Sequence, residues 1–120
     1  MRVHNASAGP YQAQPGEVID PTQIPVYRGG TSLQVRPQDV KIDRRSGLVQ
    51  PTHGLSIDSD PGQLQQFGGA HRVLSIPPEL KIMQRGQRRT HFELVPRSPM
   101  PLQMYRQFVS QVILDSTVTT

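Results

Sequence analysis

Twelve prolines and ten glycines punctuate these 120 residues, and no other feature constrains the fold as strongly. Proline lacks the amide hydrogen that a helix interior or central strand needs, and glycine marks turns and close backbone approaches. The chain is therefore loop-rich, with short strands and short helices; long helices are excluded. At this length, and with 34% apolar residues, it builds one domain with a single modest core and at most one active site.

The absence of cysteine excludes a disulfide framework, a thiol nucleophile and a cysteine-ligated zinc site. His4, His53, His71 and His91 form no His-x-x-x-His pair, so no metal centre is expected. Neither a charged start leading into an apolar segment nor a run near the roughly 18 apolar residues of a membrane span is present. No membrane insertion is expected, and export would need a dedicated machine or a larger carrier polypeptide. The net charge of +4 favours polyanions such as RNA, or a nucleotide. That excess is local: Arg85, Arg88 and Arg89 crowd one short stretch, and Arg44 and Arg45 form a smaller pair. Such runs are usually solvated turns.

Along the chain, residues 1–23, with Pro10, Pro15 and Pro21 and little apolar periodicity, read as an extended, linker-like lead-in. The folded domain is expected over 24–120. Ile24 to Arg28 reads as a strand ended by Gly29-Gly30, Val40 to Ile42 as a short half-buried strand, and Leu55 to Ile57 as a further fragment. Asp60-Pro61 supplies an N-cap and an N1 proline for a brief helix through about Phe67, stopped by Gly68-Gly69. Arg72 to Ile76, Leu80 to Gln84 and Thr90 to Val95 read as strands, the last two flanking the basic tip Arg85 to Arg89. Pro101 opens a helix in which Leu102, Tyr105, Phe108, Val109, Val112 and Ile113 recur at helical spacing and face the core. The sum is an α+β domain of short, mostly antiparallel strands without βαβ alternation. Ordinary kinase, dehydrogenase and hydrolase motifs are absent.

Four segments, in order, carry a family resemblance: Val26-Tyr27-Arg28; Gly47-Leu48 with Pro51, Gly54 and Ser56; Ile76-Pro77-Pro78-Glu79-Leu80-Lys81 leading to Gln84; and Thr90-His91-Phe92 with Pro96, Pro99 and Met100. Together they resemble the small type VI secretion toxins of the Tse-two family, whose fold is related to ADP-ribosyltransferases. The resemblance implies a compact ADP-ribosyltransferase-like domain with a short middle helix and a C-terminal amphipathic helix. It further implies a secreted or carrier-delivered antibacterial toxin that acts in the target-cell cytoplasm and uses NAD as substrate, with a cognate immunity protein as partner and a protein or RNA as target.

Cleaving the nicotinamide-ribose bond of NAD passes through an oxocarbenium-like centre. A site therefore needs a cation for the diphosphate, hydrogen bonds to the ribose, and a group that stabilises the ribose or deprotonates its hydroxyl. By the resemblance, Arg28 fastens the cofactor, with Tyr27 beside it, and Ser56 supports the nicotinamide ribose, with His53 just upstream. The planar fork of Arg28 suits a diphosphate, and Gly29-Gly30 lets a ligand approach the backbone closely. The late-strand position where larger transferases carry a catalytic glutamate falls at His91. His91 and Glu93 share one strand face, and either could act on the ribose hydroxyl, or serve only as a core hydrogen-bonding histidine and a solvated edge glutamate. This departure leaves transfer to a macromolecule, NAD hydrolysis and loss of catalysis all open. Gln84 and the basic tip occupy the place of a target-recognition loop, and a basic RNA-binding module is the rival reading.

Overall fold

The structure, a computed structural model, describes residues 9–120; His4 and the first eight positions of the expected lead-in lie outside that range. Seven strands form one sheet: β1 (Val18–Ile19), β2 (Tyr27–Gly29), β3 (Leu55–Asp58), β4 (Ala70–Ser75), β5 (Leu80–Gln84), β6 (His91–Pro96) and β7 (Ile113–Thr119). Their order is β1-β5-β6-β3-β2-β4-β7, and every neighbouring pair is antiparallel. One α-helix, α1 (Leu102–Val109), and 3-10 turns at Pro37–Asp39 and Pro61–Phe67 complete the domain. It is thus α+β, with short antiparallel strands.

The core forms where one face of the central strands meets α1. Leu55, Ile57, Ile82, Phe92 and Leu94 alternate along β3, β5 and β6 and are buried against Tyr105 and Val109, one helical turn apart on α1. β6 is buried along nearly its whole length, as expected of a central strand reading Phe-Glu-Leu-Val. Tyr105 also ties the helix to the sheet: its hydroxyl donates to the Leu94 carbonyl and accepts from the Leu55 amide, two groups on residues that face each other across β3 and β6. Gly54 makes this possible, because a Cβ there would lie 1.8 Å from the Leu94 carbonyl oxygen and 2.6 Å from the Tyr105 hydroxyl.

The middle helix forms where the cap chemistry puts it. Asp60 accepts from the Gly62 amide at 3.0 Å, Pro61 occupies the first position, and Gly68 ends the element at φ +97°. Its hydrogen bonding is 3-10 rather than α.

Three sequence expectations need correction. The C-terminal helix ends at Val109 rather than continuing to Ile113; Ile113 is 55% exposed and opens β7, which pairs with β4. Val112 and Ile113 keep helical spacing, but Ile113, Thr117, Val118 and Thr119 are β-branched, and the chain after the Ser110-Gln111 turn reaches a free strand edge. Val40 to Ile42 forms no strand, only a single bridge from Ile42 to Val49. Finally, the described part of the lead-in is extended but packed: Ala13 and Ile19 are buried, the Ala13 amide donates to the Arg89 carbonyl at 3.0 Å, and β1 pairs with β5. Two apolar residues among prolines give little periodic signal, yet they suffice to cover the outer edge of β5.

Candidate functional site

The sheet is thinnest between β2 and β3. β2 runs beside β4 over all three of its residues, whereas it meets β3 at one register position, Tyr27 opposite Asp58. Past that point Arg28 bridges the gap. Its Nη1 donates to the Ser56 carbonyl at 2.9 Å and its Nε to the Ser32 carbonyl at 3.0 Å. A guanidinium has five N–H donors, and the other three of Arg28 find no partner among the described residues. Burial lowers the pKa of Arg28 and the nearby Asp39 carboxylate raises it; it stays a cation at any ordinary pH.

A cleft of about 360 Å³ opens at this seam, within the usual size range of ligand sites. Arg28, Gly29 and Ser56 line it from the strands, and Leu64 and Phe67 line it from the 3-10 turn after β3. The Arg36–Asp39 ion pair, 3.1 Å between Nη2 and Oδ1, lies along it as well. Ser56 is exposed, and Phe67 is 59% exposed. The cleft is therefore bordered by a cation with free donors, by Ser56, whose backbone carbonyl meets that cation, and by an aromatic ring.

One strand away stands a buried carboxylate. Ser56 faces Glu93 directly across β3 and β6, which puts the two side chains on one face. Glu93 is only 4% exposed. Its Oε1 accepts from the Gly54 amide at 3.0 Å, and its Oε2 receives His91 Nε2 at 3.0 Å and Arg85 Nη2 at 2.9 Å. Burial pushes the Glu93 pKa up, but the hydrogen bonds from His91, Arg85 and Gly54, with the charge of Arg85, outweigh it and hold the pKa at about 2. Glu93 is thus a fixed anion.

A second such pair lies beside it, where Asp58 faces His91. Asp58 is buried and takes Arg88 Nη1 at 2.7 Å and the Asp60 amide at 2.9 Å. Arg89 reaches back to the Ala13 carbonyl at 3.2 Å. Gln84, also buried, accepts from the Gly16 amide and donates to the carbonyls of Gly86 and Arg88. The tip expected as a recognition loop is a turn whose three arginines are all fastened to the body of the domain.

Of the residues singled out in the sequence, Arg28 and Ser56 meet in the cleft, and His91 and Glu93 meet each other in the neighbouring network. His53 contacts Thr52 through Nδ1 at 2.8 Å; burial and then the charge of Arg85 lower its pKa, while Glu93 raises it. It is absent from the cleft lining. Tyr27 precedes Arg28 in β2 and points to the opposite face, the one that its register with Asp58 makes the face of Ser56 and Glu93. Sequence reasoning missed Phe67, Leu64, the Arg36–Asp39 pair and the Asp58–Arg88 pair. A lone aromatic before Gly68-Gly69 was the one local signal for Phe67.

Among the described residues no three His, Asp or Glu side chains gather as a metal ion would require, and no helix is long and apolar enough to cross a membrane. No protein-family model, curated protein or solved structure matches the chain.

Proposed function

We propose that the cleft binds NAD and that the domain is an ADP-ribosyltransferase-like toxin. The observation that carries this reading is the meeting of Arg28 and Ser56 in one cleft, with the ionised Glu93 directly across from Ser56. The three uncommitted donors of Arg28 suit a diphosphate, which a planar fork holds better than an ammonium would. The Ser56 hydroxyl can donate to or accept from a ribose hydroxyl.

Glu93 then contributes charge rather than proton transfer. A carboxylate with a pKa of about 2 is a poor general base near neutral pH, and both its oxygens already have donors. Its anion, held rigidly across from Ser56, favours positive charge growing on the ribose as the bond to nicotinamide breaks. His91 and Arg85 position it. The acceptor decides the outcome: a protein or RNA gives a transferase, and water gives an NAD glycohydrolase. The fastened arginine tip argues for the nucleotide cleft over RNA binding through that tip. On the toxin reading the domain is delivered by a larger carrier or secretion machine, and its producer makes a cognate immunity protein.

The test is a time course of the purified chain with NAD, with and without cell extract, following free nicotinamide and labelled ADP-ribose. Label on a macromolecule identifies a transferase, and free ADP-ribose a glycohydrolase. A folded protein that consumes no NAD in either condition would refute the enzymatic reading.

A further inference from the structure

The proposed grip on a diphosphate leaves the cleft's own ion pair unused. Arg36 and Asp39 line the cleft together with Arg28, Ser32 and Leu55. Tyr27 stands opposite Asp58, so Arg28, one residue further on, shares the face of Leu55.

The segment that carries the pair is pinned. Arg28 Nε donates to the Ser32 carbonyl at 3.0 Å, Val35 is buried, and Arg106 on α1 reaches the Val35 carbonyl through Nε at 3.1 Å and Nη2 at 3.0 Å. Pro37 then opens the 3-10 turn that ends at Asp39. β2 is fixed as well: the Gly30 amide donates to the Gly69 carbonyl at 2.8 Å, which closes Gly29-Gly30 on Gly68-Gly69. The Arg36 side chain remains free to swing, being 63% exposed, whereas that of Asp39 is 17% exposed.

Asp39 Oδ2 accepts from the Arg36 amide at 2.8 Å and from its Nε at 3.4 Å, and Oδ1 accepts from its Nη2 at 3.1 Å. Burial pushes the Asp39 pKa up, but these bonds, with the charges of Arg36 and Arg28, outweigh it and hold the carboxyl below its ordinary value. Two cations of the cleft thus share one anion that the protein itself supplies. An ion pair with so exposed an arginine is weak, so a bound anion can draw Arg36 away from Asp39.

From this placement we infer that Asp39 is an internal stand-in for the ligand's negative charge, holding Arg36 at the cleft until a ligand with two anionic groups, one for Arg28 and one for Arg36, displaces it. The cleft then selects a diphosphate over a singly charged phosphodiester, because only a second charge recruits Arg36. The inference rests on the reading of Arg28 as an anion grip and adds what chooses the anion.

The test is calorimetric titration of the full chain with pyrophosphate and with dimethyl phosphate, a single anion. The parent should bind pyrophosphate more tightly. Arg36→Ala, a change at an exposed position, should weaken pyrophosphate about ten-fold or more, the scale of one charge-assisted hydrogen bond. Asp39→Asn keeps an oxygen for the Arg36 amide, and so the turn. It should bind pyrophosphate about two- to five-fold tighter, the strength of a weak ion pair that no longer has to be broken. Glu79→Gln makes the same change of net charge at an exposed position outside the cleft lining and should match the parent. The double variant Arg36→Ala/Asp39→Asn should bind dimethyl phosphate as the parent does and lose most of the preference for pyrophosphate. Unchanged circular dichroism spectra confirm the fold of each variant. If Arg36→Ala binds pyrophosphate as the parent does, or Asp39→Asn binds it no better than Glu79→Gln, the stand-in is disproved while the anion cleft stands. A parent chain that binds neither probe overturns both the stand-in and the Arg28 grip. None of these outcomes depends on NAD being consumed.

Discussion

Nη1 of Arg28 donates to the carbonyl oxygen of Ser56 at 2.9 Å, so a side chain, rather than a ladder bond, joins β2 to β3 beyond Tyr27. Arg28 thereby serves both the integrity of the sheet and the proposed grip on a diphosphate. Arg28→Lys keeps the charge but cannot reach the Ser32 and Ser56 carbonyls together and still present donors to a ligand. It should lose about 1–2 kcal/mol of stability, the scale of one or two net hydrogen bonds, measured by urea unfolding. NAD affinity should fall roughly ten-fold or more, since a charge-assisted hydrogen bond is worth about 1.5–3 kcal/mol; calorimetric titration reads that directly.

Tyr105→Phe removes the hydroxyl shared by the Leu55 amide and the Leu94 carbonyl and leaves both buried without it. The expected cost is about 1–3 kcal/mol. Gly54→Ala should be worse, because its Cβ would overlap the Leu94 carbonyl oxygen of β6 and crowd the Tyr105 hydroxyl of α1. Denaturant midpoints of the two variants should rank in that order; an unperturbed Gly54→Ala protein would contradict the close approach.

Glu93 makes stability depend on acid. Its pKa lies at about 2 in the folded chain against an ordinary 4.5, so the unfolded state binds its proton first as pH falls. The stabilisation is fully present above about pH 4.5 and disappears between about pH 4.5 and pH 2. Glu93→Gln should flatten the stability profile in that window. At neutral pH it should cost about 1–3 kcal/mol, less than for a pair buried on both sides, because Arg85 is half exposed and returns to water.

The two groups of arginines should behave differently. Arg88→Ala leaves the buried Asp58 carboxylate without its ion-pair partner, a change expected to cost about 1–3 kcal/mol, since Arg88 is itself half exposed and its charge partly screened. Arg44→Ala and Arg45→Ala alter exposed turn positions and should stay within about 0.5 kcal/mol of the parent. Thermal or urea unfolding of the three variants side by side would reveal whether the tip is a staple or a solvated loop.

Local signals read best. The strand from Leu80 to Gln84 and the cap at Asp60-Pro61 stand where the sequence puts them, because alternation and capping chemistry act within a few residues. β7 was hidden because Val112 and Ile113 continue the spacing of α1, and only the free edge of β4 decides in favour of a strand. Arg28 and Ser56 stand out in the sequence through the family resemblance rather than through any local pattern. The Asp58–Arg88 and Glu93–Arg85 pairs depend on register between β3, β6 and the tip, which no local pattern encodes. Phe67 gave no periodic signal; its exposure emerges only when two glycine pairs close on each other.

The strand order bears on how the chain reaches this state. Among the described residues only β5 and β6 form a short hairpin; β1 must wait for β5, β3 for β6, and β4 for β7. Each of those pairings closes a long loop, whose entropy is lost before any ladder bond compensates it. High contact order of this kind places folding on roughly the millisecond-to-second scale. The two banks of the cleft belong to pairings that mature separately, β3 with β6 and β2 with β4. Ligand-binding competence should therefore lag behind the appearance of β structure during refolding, by the time that Arg28 takes to find Ser56.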